Sequence, residues 1–227
     1  MIKYLGGKFR YSKQIAEILE SLRKPGQTYL EPFVGGAWVV SKMSGVRIAS
    51  DVNEAVINYY RHIQSGWVPP KELSREAYER IKAENDINDP MHVFALISCS
   101  FGSQYKVGFA ICPTGRNFAL VAHNGIMKRR HLIDDVIFNH CSYLDYKPVN
   151  CLIYCDPPYH NTKAYRGTGN FDHELFWDTM REWRKNNIVV ISEYKAPNDF
   201  NCIKEFDHRL SIRSKNGCEK RIERLFI

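Results

Sequence analysis

Ile15, Ile18, Leu19 and Leu22 recur at the spacing of one helical face, so residues 11–22 are predicted to form an amphipathic helix that Pro25-Gly26 ends. Residues 28–34 are a short β-rich run. Gly35-Gly36 follows, then an apolar stretch over 37–43 that reads as a helix. Residues 46–50 are a second strand, closed by Asp51. Asn53 is placed to N-cap the next helix, in which Val56, Ile57, Tyr60 and Ile63 share a face. The pattern then changes. Trp67-Val68-Pro69-Pro70 is a break, 71–85 a charged, solvated helix, 85–90 a second break and 91–100 apolar. Beyond that the chain is rich in Gly, Asn and His without a clean period, so 65–145 reads as an insertion of helices and loops. Alternation resumes at Cys151-Leu152-Ile153-Tyr154-Cys155, a strand ending at Asp156. Residues 173–184 form a helix with Leu175, Phe176, Thr179, Met180 and Trp183 turned inward. Ile188-Val189-Val190-Ile191 is the continuous apolar run of a strand covered on both faces. Residues 209–213 and 221–227 alternate around Asn216-Gly217, a hairpin pattern. The expected fold is α/β: a mostly parallel sheet, helices on both faces and an antiparallel pair at one edge. In such sheets ligands bind beyond the carboxyl ends of the strands.

Composition narrows the picture. The 227 residues suffice for one α/β domain with a small insertion. No apolar run reaches the roughly 18 residues of a membrane span. Met1-Ile2-Lys3-Tyr4-Leu5-Gly6-Gly7-Lys8 lacks the apolar core of a signal peptide, so a soluble, cytoplasmic protein is expected. The seven cysteines are odd in number and include no Cys-x-x-Cys pair, which argues against disulfides and a structural zinc site. The net charge is +7 and the pI about 9.0, a balance that favours an anionic partner, nucleic acid being the commonest. Its distribution says more. From Pro90 to Ile133 there is no Asp or Glu, while Lys106, Arg116, Lys128, Arg129 and Arg130 fall there. These are the candidate contacts to an anionic partner; the competing reading is a partly buried, acid-poor segment.

Three motifs fall at predicted strand ends. In Glu31-Pro32-Phe33-Val34-Gly35-Gly36 the paired glycines permit a sharp turn and close backbone approach to a ligand. The spacing is not that of a dinucleotide-binding Gly-x-Gly-x-x-Gly, and two glycines alone mean a tight turn more often than a site. Asp51 is placed either to accept hydrogen bonds from ribose hydroxyls or merely to close a turn. In Asp156-Pro157-Pro158-Tyr159 two prolines stiffen the loop and remove N–H donors, leaving acceptors beside an aromatic ring. That suits a flat substrate bearing an NH2 group: Asp156 and the Pro157 carbonyl can each accept one N–H, and Tyr159 can stack. An ordinary Asp-Pro turn is the alternative.

These motifs, in this order, resemble the Dam-type (D12 class, phage-like) adenine-N6 DNA methyltransferases across nearly the whole chain. Tyr4-Leu5-Gly6-Gly7-Lys8 is similar to their N-terminal aromatic-x-Gly-Gly-Lys motif, residues 29–36 to their cofactor loop, Ala49-Ser50-Asp51-Val52-Asn53 to their ribose-binding acidic loop and Asp156-Pro157-Pro158-Tyr159 to their catalytic motif. The resemblance implies a Rossmann-like class I sheet using S-adenosylmethionine without a metal. It implies Tyr4, Lys8, Glu31, Phe33, Gly35, Asp51 and Asp156 at the cofactor and Asp156, Pro157, Pro158 and Tyr159 at the chemistry. Residues 1–64 and 146–227 would be the catalytic domain and 65–145 a target-recognition insertion, with double-stranded DNA as partner and no membrane association. Ala37 and Trp38 depart from the small residues that relatives often carry there, a change expected to alter packing beneath the cofactor without abolishing binding. Ser192-Glu193-Tyr194 has no assigned role. The DNA sequence recognised, a restriction partner and the oligomeric state (monomer or weak dimer) stay open. The rivals are transfer to cytosine N4, RNA adenine or a protein amide, and a non-catalytic DNA-binding protein of the same fold.

Overall fold

A computed structural model describes residues 1–2, 7–159, 171–208 and 221–227. Its strands are β1 Thr28–Glu31, β2 Arg47–Asp51, β3 Val136–His140, β4 Cys151–Cys155, β5 Ile188–Glu193, β6 Cys202–His208 and β7 Arg221–Phe226. They form one seven-stranded sheet in the order β3-β2-β1-β4-β5-β7-β6. All pairings from β3 across to β5 are parallel, and β7 runs antiparallel to both β5 and β6. This is a Rossmann-like, mostly parallel α/β sheet with an antiparallel pair at one edge. From β1 the chain winds outward through β2 and β3, then restarts on the other side with β4 and β5. The reversal leaves a crevice beyond the carboxyl ends of β1 and β4.

The pleat sends neighbouring residues to opposite faces, and both faces are covered. Tyr29, Ala49, Leu152, Tyr154, Val190 and Leu225 join one core cluster with α1 (Ser12–Leu22) and α2 (Glu54–Gln64). Leu30, Ile153, Cys155, Val189, Ile191 and Phe226 join the other with α6 (His173–Trp183). In α6 Phe176, Met180 and Trp183 are buried as expected, but Leu175 is 44% exposed: it lies about 100° round the helix from Phe176 and faces solvent.

Two elements differ from expectation. The apolar stretch over 37–43 makes only a 3₁₀ turn, Val40–Lys42, because Gly35 and Ala37 take left-handed backbone (φ 41° and 54°) that cannot start an α-helix. The 65–145 span holds α3 (Arg75–Glu84), α4 (Pro90–Val93) running into a π-helical turn at Phe94–Ser98, and α5 (Phe118–Met127). It also supplies β3, an edge strand in the main sheet that buries Val136 and Phe138 and leaves Ile137 51% exposed. The α2 side chains hold that edge: Gln64 donates to the carbonyls of Ile133 and Val136, and Arg61 to that of Phe138. The antiparallel pair is present, but β7 pairs with 202–208. Residues 209–213 and Asn216-Gly217 lie outside the described residues.

Candidate active site

The loop after β1 is folded onto β2. Val34 N–H donates to the Ser50 carbonyl at 2.9 Å, Gly35 N–H to Asp51 Oδ2 at 3.0 Å, and Asn53 N–H to Asp51 Oδ1 at 2.9 Å. The Tyr60 hydroxyl donates to the Gly35 carbonyl at 2.9 Å. Asp51 thus fastens the glycine turn to the start of α2, and each oxygen keeps a second lone-pair site. Burial raises its pKa; the two N–H donors oppose that. Asn53 occupies the N-cap position of α2 but makes no side-chain cap bond. Gly36 has no room for a side chain: a Cβ there would lie 2.8 Å from Trp38 Cδ1 and 3.0 Å from the Ile2 carbonyl oxygen. Trp38, the departure noted in the sequence, donates from Nε1 to that carbonyl at 2.9 Å and packs edge-on to Phe9 with ring centroids 4.7 Å apart.

Lys8 reaches from the N-terminal segment to the loop after β4. Its Nζ lies 2.5 Å from Asp156 Oδ1, 3.4 Å from Glu223 Oε1 of β7 and 4.7 Å from the Tyr159 ring centroid. The Tyr159 hydroxyl donates to Glu223 Oε1 at 3.3 Å, and its ring meets Tyr194 edge-on at 4.6 Å. Below them Glu31, 3% exposed, accepts from the Tyr29 hydroxyl at 2.6 Å. Phe33, half-buried, packs against Tyr143, Phe171 and Phe176. Tyr4 lies outside the described residues. The strand ends therefore bring together Lys8, Glu31, Gly35, Asp51, Asp156 and Tyr159.

One ammonium faces three carboxyls. Burial pushes Asp156 up to about 6; Lys8 pulls it down and Glu223 pushes it further up. Burial pushes Glu31 up to about 8, with the Tyr29 hydroxyl opposing and Asp156 adding to the rise. Burial works against the Lys8 charge, but Asp156 and Glu223 outweigh it and its pKa is raised. Near neutral pH Asp156 is mostly ionised and Glu31 mostly protonated. With the Asp156 and Glu223 carboxyls both within 3.4 Å of the Lys8 ammonium, acids outnumber the cation and the crevice favours a cationic guest.

Glu223, Tyr194 and the Ser192 hydroxyl were missed in the sequence. Ser192 Oγ lies 2.7 Å from Tyr154 Oη, and Arg224 holds the Tyr194 carbonyl at 2.6 Å, so the Ser192-Glu193-Tyr194 run lies beside the Asp-Pro-Pro-Tyr loop. The available signal was Glu223, an acid on the same strand face as buried Leu225. The basic candidates make separate local contacts. The Lys106 ammonium is bonded to Asn85 and lies 4.9 Å from the Tyr105 ring; Arg116 is exposed beside Phe118; Lys128 is exposed at the end of α5. Arg129 lies 5.7 Å from the Trp38 ring centroid, and Arg130 is half-buried in the 3₁₀ turn Arg130–Ile133. Among the described residues no group of three or more His, Cys, Asp or Glu could hold a metal, and no helix is long and apolar enough to cross a membrane.

Residues 4–106 match the family model of the D12 class N6 adenine-specific DNA methyltransferases, and the match supports methyltransferase activity. It includes the Gly-Gly-Lys, glycine-turn and Asp51 motifs; Asp156-Pro157-Pro158-Tyr159 lies beyond it. Among solved structures, similarity extends to a candidate methylase of Haemophilus influenzae, at 12% identity and TM-score 0.39 over 95% of this chain and 96% of that one. It extends also to the rRNA methyltransferase AviRa of Streptomyces viridochromogenes, at 12% identity and TM-score 0.39 over 93% of this chain and 83% of that one.

Proposed function

Starting from the D12-class match over residues 4–106, we propose that this protein is an S-adenosylmethionine-dependent DNA methyltransferase acting on the exocyclic N6 amine of adenine. The observation that carries the reading is Asp156-Pro157-Pro158-Tyr159 at the carboxyl end of β4, beside β1 at the switch point and bound through Asp156 to Lys8. The residues suit this donor. Its sulfonium and amino groups are cationic, and among the described residues the crevice sets Asp156 and Glu223 against Lys8. Asp51 keeps acceptor capacity for a diol after fastening the Gly35 turn. Lys8, Glu31, Phe33, Gly35, Asp51 and Asp156, with Tyr4, are our candidate cofactor residues, and Lys8 also holds Asp156 in its ionised form. When bound, S-adenosylmethionine supplies an electrophilic methyl group.

The chain's own residues do the rest. An adenine amine is a weak nucleophile because its lone pair is delocalised into the ring. The Asp156 carboxylate and the Pro157 carbonyl accept its two N–H bonds. That localises the lone pair and would stabilise the positive charge that develops as the C–N bond forms and the methyl–sulfur bond breaks, the methylated amine then shedding one of its N–H protons to water. Pro157 and Pro158 keep the loop free of competing donors, and Tyr159 offers a stacking face. Residues 1–64 and 146–227 act as the catalytic part. Residues 65–145 read the target and also lend β3 to the sheet. Lys106, Arg116, Lys128, Arg129 and Arg130 meet duplex phosphates, and the adenine leaves the stack, where its amine is unreachable. The test is transfer from labelled S-adenosylmethionine to unmethylated duplex DNA with nucleoside analysis of the product. N6-methyladenine is the expected product. Label in cytosine overturns the assigned base; label only in RNA or protein overturns the DNA substrate; no transfer to any acceptor overturns the enzyme.

A further inference from the structure

We propose that Glu223 is a positioning residue of this site: from β7 it anchors the Tyr159 hydroxyl and shares Lys8 with Asp156, bracing the Asp-Pro-Pro-Tyr loop from the antiparallel part of the sheet. The inference rests on the methyltransferase reading and deepens it. Glu223 is 7% exposed, on the β7 face that also buries Leu225. A carboxylate that deep is costly unless paired. Its Oε1 is both 3.4 Å from Lys8 Nζ and 3.3 Å from the Tyr159 hydroxyl. Lys8 sits closer to Asp156, at 2.5 Å, so one ammonium serves two acids that repel each other across it. Glu223 thereby controls how tightly Lys8 holds Asp156 and fixes the hydroxyl end of a ring whose body lies against Lys8 and Tyr194. Neither effect needs Glu223 to touch substrate.

Among the described residues the groups facing Asp156 include Lys8, Glu223, Tyr159, Glu31, Tyr154 and Cys155, with Glu193 facing Tyr159. Of these, Glu223 is an acid that pushes the Asp156 titration upward. Glu223→Gln keeps the shape and an oxygen for the Tyr159 hydroxyl while removing the charge. Its kcat should fall roughly tenfold, with KM for DNA little changed, and the acidic limb of kcat/KM should move to lower pH. Wild-type kcat with an unmoved limb overturns the proposal. Glu223→Ala and Tyr159→Phe each remove one end of the contact between them. If Glu223 acts through that hydroxyl, the double variant loses less than the two single losses combined; additive losses overturn the anchoring role. A third readout needs no activity: carbon-13 titration of labelled aspartate carboxylates, with Asp156 assigned by its absence in Asp156→Asn. The Asp156 midpoint should fall in Glu223→Gln, and an unchanged midpoint overturns the coupling. If the wild-type protein methylates nothing, the methyltransferase reading fails and this titration still decides whether Glu223 governs Asp156.

Discussion

At the carboxyl ends of β1 and β4, Glu31, Asp51, Asp156 and Glu223 are buried or nearly so, and each is held by a named donor: the Tyr29 hydroxyl, the Gly35 and Asn53 N–H groups, Lys8, and the Tyr159 hydroxyl. Between Pro90 and Ile133 there is no acid at all; Arg116 and Lys128 are exposed, and Phe101 and Ile111 are 63% and 64% exposed. In the first region each of these acids already has its donor, on or beside a strand end. The second presents unmatched positive charge and bare apolar surface. Groups that must meet reacting atoms gain from preorganisation on regular elements; groups that must follow a polymer's backbone gain from loops and long cationic side chains.

Asp156→Ala is the strongest attempt to break this division. It should lower transfer by about a hundredfold to a thousandfold and leave duplex binding largely intact, as gel shift and labelled transfer measure together. A matching loss of DNA binding would mean that the regions do not work separately. Next in size is Leu152→Ala. Leu152 is fully buried in β4, so the cavity should cost about 2–5 kcal/mol of unfolding free energy. Ile111→Ala, at a position 64% exposed, should stay within about 0.5 kcal/mol of wild type. Urea unfolding of both variants checks the pair, and equal losses would erase the distinction.

The same division decides what can be read from the chain. The strand-end motifs were legible because each is contiguous: Asp51 closes β2 and Asp156 closes β4, where a burst of apolar residues stops at an acid. The mostly parallel character of the sheet followed from alternating strand and helix, whereas its strand order did not. What was not legible is whatever a distant strand supplies. Glu223 reaches Lys8 across a sequence gap that only the antiparallel insertion of β7 beside β5 closes. Ser192 and Tyr194 gain meaning only beside Tyr154 and Tyr159. β3 was hidden because an edge strand buries one face, leaving Val136 and Phe138 as its only buried apolar positions before polar Asn139 and His140. The 37–43 helix failed because composition does not reveal the left-handed turn at Ala37.

A smaller effect sharpens the second half of the comparison. Arg116→Ala with Lys128→Ala removes two exposed cations without touching the crevice. DNA affinity should fall, and the slope of log affinity against log salt should shrink by about 0.9 for each phosphate that is no longer neutralised. At saturating DNA, turnover should hold. An unchanged slope would move the cationic face away from this segment.

Glu31→Gln probes the smallest effect and the least obvious feature of the crevice, an acid shut in beneath the site. Burial pushes the Glu31 carboxyl up from 4.5 to about 8, so the folded protein keeps that proton more tightly than the unfolded chain. The stability this contributes is full below the unfolded value and is lost as pH rises through the folded one. Asp156, pushed up from 3.8 to about 6, loses stability in the same direction but over a lower range, so the decline continuing from there to about 8 belongs to Glu31. Gln keeps an oxygen for the Tyr29 hydroxyl and cannot ionise. The variant's Tm should therefore match wild type in mild acid and exceed it by a few degrees in mild alkali. A gap that stays constant with pH would show that Glu31 ionises freely. In that case the crevice would carry a further negative charge at neutral pH, and its preference for a cationic guest would be stronger than the protonated acid allows.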